Sequence, residues 1–181
     1  MTATDTLRHE HDVVLLVLKA AEREGNAALG AGRFNLANVE QMLDFFIDFV
    51  DRCHHAKEEQ HLFPALRKRG IAGRENCIKE LLQQHDAGRK LVRAMASVCP
   101  KAKAGEAKAT EELGNRLLTY GGLLTEHIET ENKCLLPAAD RLLTPEDQEA
   151  LNEAFEKIET EEIGEGTHEK YHQLAHDLAK G

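Results

Sequence analysis

Apolar residues recur every three or four positions in four long stretches of the chain, the spacing of one buried face on an α-helix. The first stretch carries Leu7, Val14, Leu18 and Ala21, and the second Leu43, Ile47, Val50 and Ala65. The third carries Ile78, Leu82, Val92 and Met95, and the fourth Leu113, Leu117, Tyr120, Leu124, Leu135 and Ala138. Turn-forming residues separate them at Gly25 to Arg33, Gly70 to Gly73 and Pro100 to Gly105. Four amphipathic helices with short connections predict an all-α fold, an up-down antiparallel four-helix bundle.

A further element follows. Thr144-Pro145-Glu146-Asp147 reads as a helix N-cap, a proline at the first helical position and acids in the first turn. A helix is predicted from Pro145 to about Glu162, broken by Gly164 and Gly166, with Thr167 capping a last helix through Ala179. The expected organisation is a bundle over residues 1–143 and a C-terminal helical extension, residues 144–181, packed upon it.

The bundle contains an internal repeat. His54, Glu58, Leu62, Pro64 and Ala65 match His127, Glu131, Leu135, Pro137 and Ala138 at a constant offset of 73 residues, and Glu10-His11-Asp12 matches Gln84-His85-Asp86 at 74. Each copy is a helical hairpin with one His on its first helix and an H-x-x-x-E on its second.

On their helices these residues face inward. His11 continues the stripe of Leu7, Val14 and Leu18, and His85 the stripe running from Leu82 to Val92. His54 and Glu58 follow Leu43, Ile47 and Val50, while His127 and Glu131 follow Leu117, Tyr120 and Leu124. A buried carboxylate without a partner loses several kcal/mol of solvation. Cations among the imidazoles and carboxylates relieve that cost, and His and Glu at i, i+4 grip one centre from one face.

Neighbouring polar residues are assigned elsewhere. His55 and Glu59 form a competing H-x-x-x-E on the stripe Asp44, Asp48, Asp51, which reads as a solvated face. His9 points away from the stripe of His11. His61 lies on the ligand stripe, but its repeat partner is Cys134, so packing is expected of it.

Composition narrows the chemistry. The net charge of −9, with no basic run longer than Arg67-Lys68-Arg69, excludes phosphate-rich partners: no nucleic acid and no anionic membrane surface is expected. The apolar runs are too short to span a membrane, and no basic segment leads into a hydrophobic one, so a cytoplasmic chain is expected. Cys53, Cys77, Cys99 and Cys134 form no C-x-x-C pair and read as reduced, mostly buried thiols. A thiolate-free set of imidazoles and carboxylates suits iron, with zinc or manganese also possible on ligand type. Two octahedral ions need about twelve donor positions. Two bridging carboxylates, an oxo or hydroxo bridge and four imidazoles fill about ten, so about two remain open for a small ligand.

Together, Glu10-His11, His54-x-x-x-Glu58-x-x-x-Leu62-Phe63-Pro64, Gln84-His85 and His127-x-x-x-Glu131-x-x-x-Leu135-Leu136-Pro137 resemble the hemerythrin-like, or HHE cation-binding, domain over about residues 5 to 142. The resemblance implies a four-helix bundle around a non-haem di-iron centre. His11, His54, His85 and His127 would be terminal ligands, with Glu58 and Glu131 bridging. Oxygen-carrying members add a fifth His on the third helix, where this chain has Leu81, Leu82 and Arg89 instead. The four-His, two-carboxylate set is similar to that of iron-centre repair proteins responding to nitric oxide and oxidative stress.

The expected function is binding or sensing of a small molecule (O2, NO or peroxide) or of iron itself. The alternative is a redox enzyme that uses the di-iron centre for peroxide or NO detoxification or iron-centre repair. Tyr120, two turns before His127, is a candidate contact for the small molecule and otherwise a packed side chain. His168 on the last helix is a candidate fifth imidazole or an outer partner of the centre. The other reading makes that helix a surface element.

Overall fold

The computed structural model describes residues 1–71 and 73–180. Among them every regular element is helical. Helix α1 spans Ala3–Ala31, opened by a capping box between Thr2 and Asp5 and closed by Gly32 at φ 63°. Helix α2 starts as Leu36–Phe45, continues π-helically over Phe46–His55 and Glu58–Leu62, and ends as Phe63–Lys68. Helix α3 spans Glu75–Lys103. Helix α4 runs Ala107–Thr130, passes through a π-helical Glu131–Leu135 and finishes as Leu136–Leu142. Helix α5 covers Pro145–Lys157 with a π-helical continuation Ile158–Gly164, and α6 covers Thr167–Lys180. The capping box at Thr144 and Asp147 starts α5 where the sequence predicts it.

Two expected turns begin later than predicted, after Ala31 and after Lys103. The stretch from Gly25 belongs to α1, because Gly25 is a packing glycine. A Cβ there would lie 3.0 Å from the Leu118 side chain and 3.1 Å from the Gly114 carbonyl. A Cβ on Gly114 would lie 3.0 Å from the Gly25 carbonyl. The absent side chains let the α1 and α4 backbones touch. Pro100 sits near the end of α3, where one missing N–H bond removes little, and the helix continues to Lys103. Ala72, within the expected Gly70–Gly73 turn, lies outside the described residues.

Helix α1 packs on α4, α4 on α3, α3 on α2 and α2 on α1, so four helices surround one interior. That interior has two apolar layers. One contains Val14, Val17, Phe45, Phe46, Val92, Leu117 and Tyr120, and the other Leu7, Leu62, Phe63, Ile78, Leu81, Leu135 and Leu136. On each helix the predicted ligands fall between the two layers. The extension covers both: Leu151 and Phe155 of α5 join the second layer, and Tyr171, Ala175 and Leu178 of α6 join the first. The Tyr171 hydroxyl donates to Asp48 Oδ2 at 2.9 Å. No described helix is long and apolar enough to cross a membrane.

Candidate metal centre

The structure brings His11, His54, Glu58, His85, His127 and Glu131 together, all within 2% of full burial. They form two overlapping donor groups: His11, His54, Glu58 and Glu131, then Glu58, His85, His127 and Glu131. Both carboxylates belong to both groups. Glu58 turns Oε1 toward His54 at 3.6 Å and Oε2 toward His85 at 3.4 Å. Glu131 Oε2 lies 3.0 Å from His11 Nε2 and 3.6 Å from His127 Nε2.

Each of the four imidazoles is held from behind. Nδ1 of His11 meets Asn132 Oδ1 at 3.0 Å, and that of His54 meets Glu10 Oε2 at 2.8 Å. Nδ1 of His85 meets Glu59 Oε1 at 2.7 Å, and that of His127 meets Gln84 Oε1 at 3.0 Å. An imidazole donating through Nδ1 keeps its Nε2 lone pair for a cation, the usual outer support of a metal-ligating His. These supports also obey the repeat: Glu10 and Gln84 are 74 apart, Glu59 and Asn132 are 73 apart. The sequence reading used the repeat for ligands only and left the four supports unassigned, though the same offsets identify them.

The donor chemistry of the interior fits cations. Nε2 of His11 and His54, and all four carboxylate oxygens of Glu58 and Glu131, are buried without a hydrogen-bond partner. Buried polar atoms are ordinarily paired, and leaving several together unpaired is costly. The two Nε2 atoms of His85 and His127 are 3.2 Å apart. Two nitrogens at right angles on one ion, with bonds of about 2.1 Å, lie about 3 Å apart.

The protonation pattern shows the same strain. Burial and the facing Glu131 charge push the Glu58 carboxyl up. Burial opposes ionisation of Glu131 as well, yet His127 and His11 hold it below the usual carboxylate range. Burial also opposes charging of His85, but the facing Glu58 carboxylate and the hydrogen bond with Glu59 raise it to about 9. His127 is lowered to about 4, by burial first, with the Glu131 charge opposing and the other imidazoles adding to the shift.

One expectation is overturned. His55 does not face solvent; it is 3% exposed. Every residue from Cys53 to Glu58 is buried. Helix α2 is enclosed by α1 on one side, α3 on another and the α5 continuation on a third. Its π-helical turns, bonded i to i+5, also carry residues out of phase with a 3.6 repeat, a feature common at functional sites. Ile47, expected in the core, is 40% exposed for the same reason. The His55 ring stacks on His85 with centroids 3.7 Å apart, and His55, His85 and His127 form a third donor group. Neither ring nitrogen of His55 has a hydrogen-bond partner. Asp51 Oδ1, one turn earlier, stands 3.5 Å from its Nδ1.

The remaining candidates are placed apart from the three donor groups around Glu58, Glu131 and His55. His168 joins none of the three but groups with Glu10 and Glu159; its Nε2 donates to Glu10 Oε1 at 3.1 Å, so it stands behind His54. Tyr120 is buried against Phe46 with centroids 4.4 Å apart, and burial raises its hydroxyl well above the ordinary value. Together with His55, Arg89 and Val92 it lines a cavity of 250 Å³ between α2 and α3. His9 is exposed and stacks near His172, and His61 is half-buried outside the donor groups. All four cysteines are free thiols outside them.

Residues 2–139 match the model of the hemerythrin HHE cation-binding domain, and the chain belongs to that family. It is similar to the uncharacterized protein Rv1995 of Mycobacterium tuberculosis (strain H37Rv) and the uncharacterized protein Mb2018 of Mycobacterium bovis. Each is 26% identical over 182 residues, covering 99% of this chain and 70% of the relative. No solved structure matches.

Proposed function

We propose that this chain is a four-helix bundle of antiparallel, up-down order that holds two iron ions and binds a small molecule (O2, NO or peroxide) at them. The supporting observation is the set of four imidazoles pinned through Nδ1, with Nε2 turned toward two carboxylates that have no other partner. His11 and His54 would hold one ion, His85 and His127 the other, and Glu58 and Glu131 would bridge them. His55 supplies a fifth imidazole on the His85 side. Its neutral ring has two free nitrogens, its donor group is shared with His85 and His127, and Asp51 waits behind Nδ1 as the other supports do. It has no counterpart in the repeat, where Ile128 stands in its place, so the two ions would be unequal.

Iron supplies redox chemistry and open positions for a small ligand. The protein keeps both carboxylates dry, fixes each imidazole, and has a cavity beside His55 that would hold a small molecule next to that ring. A second reading, redox turnover of peroxide or NO, is supported by Tyr120, a buried phenol lining that cavity. The test is anaerobic iron loading followed by optical spectra before and after O2, NO or peroxide. A change with one of them at one equivalent supports binding, and consumption of many equivalents supports turnover. A spectrum indifferent to all three would contradict both. His55→Ala should keep the metal yet alter its spectrum, and an unaltered spectrum would remove His55 from the set.

A further inference from the structure

Glu10 is fully buried and accepts from three directions: His54 Nδ1, the Lys57 ammonium and His168 Nε2. Lys57 is itself fully buried, and its ammonium also reaches Glu159 Oε1 at 2.5 Å. Glu159 and His168 both belong to the extension, beyond the residues 2–139 that the family model matches. Glu10, Glu159 and His168 lie close enough to hold a cation, but the Lys57 ammonium already lies between the two carboxylates. The cluster is therefore a closed charge network, with His54 at its inner end.

We infer that the C-terminal extension acts through Glu159 and His168 to set how much negative charge Glu10 presents to His54, and so tunes the metal that His54 holds. The inference rests on the two-metal reading above. A carboxylate behind a ligating imidazole raises its donor strength, and such partners change metal affinity about 10- to 100-fold. Glu159 and His168 pull on that carboxylate in opposite senses. Glu159 shares the Lys57 ammonium and leaves Glu10 freer to accept from His54. His168 donates to Glu10 and draws charge away from His54.

The test measures the midpoint potential of the iron-loaded full chain by redox titration followed optically. Glu159→Gln gives Lys57 wholly to Glu10, weakens the His54 donor, disfavours the oxidised metal and should raise the potential. His168→Ala frees Glu10 and should lower it. A tenfold change in the balance of oxidation states corresponds to 59 mV for one electron, and about that size is expected. Glu159→Asp, which keeps the charge, should stay near wild type. Glu165→Gln removes an exposed charge of the extension and should move the potential far less. Shifts of the same sign in Glu159→Gln and His168→Ala would overturn the inference, since a merely structural role disturbs the site alike in both. Equal shifts in Glu159→Gln and Glu165→Gln would overturn it too. A wild-type chain that takes up no metal would instead overturn the two-metal reading, and this inference with it.

Discussion

Replacing Gly114 by Ala should destabilise the protein, although alanine is the better helix former by about 0.8–1.0 kcal/mol. The new Cβ would lie 3.0 Å from Ala28 Cβ, 3.0 Å from the Gly25 carbonyl and 3.1 Å from Leu29 Cγ. One of those neighbours is backbone, so relief requires α1 and α4 to separate. Overpacking of this kind costs about 1–3 kcal/mol, and the backbone clash argues for the upper half. The expected net loss is about 1–2 kcal/mol. Gly121 on the same helix is the internal control, because a Cβ there meets nothing within 4 Å. Gly121→Ala should keep most of the propensity gain and stabilise by up to about 1 kcal/mol. At this chain length 1 kcal/mol moves Tm by about 2–4 °C. Thermal unfolding followed by far-ultraviolet circular dichroism, with chelator present so that metal release adds nothing, reads both variants. Equal stabilisation by the two substitutions would refute the close approach of α1 and α4.

Glu59→Ala removes the oxygen behind His85 and should weaken metal retention about 10- to 100-fold against a competing chelator, whereas His61→Ala should leave it unchanged; equal effects would sink the assignment of the supports. Lys57→Met leaves Glu10 without its cation in a dry interior and should cost about 3–5 kcal/mol, and a denaturation midpoint unchanged from wild type would contradict the buried network. Thr144→Ala removes the α5 cap, which should lower stability by about 1 kcal/mol without altering metal content; loss of metal would mean that α5 does more than pack. Burial pushes the Cys53 thiol up to about 12, so alkylation at mildly alkaline pH should require unfolding, and rapid labelling of the native protein, read by mass spectrometry, would show the site to be open.

The donor residues were legible because they obey two periodicities at once, the helical stripe and the repeat at 73 or 74 residues. Their supports obeyed the same repeat, and Glu10, Gln84, Glu59 and Asn132 needed only the further rule that a ligating imidazole has an oxygen behind it. His55 was misread because stripe analysis assumes 3.6 residues per turn and a single buried face. Helix α2 is π-wound through this region and covered on several sides, so adjacent residues His54 and His55 both point inward. Gly25 was misread for a different reason. A glycine in a chain signals either a turn or a close approach, and only the facing Gly114, 89 positions away, decides between them. The role of the extension was legible only in His168, read as a candidate fifth imidazole or an outer partner of the centre, with Glu10 not named as what it would meet. Its polar reach to Glu10 crosses from residue 168 to residue 10, which no local pattern carries.

The most direct test of the two-metal centre is the metal stoichiometry of the intact chain after anaerobic iron loading and removal of excess metal, measured by native mass spectrometry. Two ions per chain are predicted for wild type, with loss of bound metal in both His54→Ala and Glu131→Ala, since each removes a donor and strands its neighbours. One ion or none in the wild type, or two retained in both variants, would contradict the account.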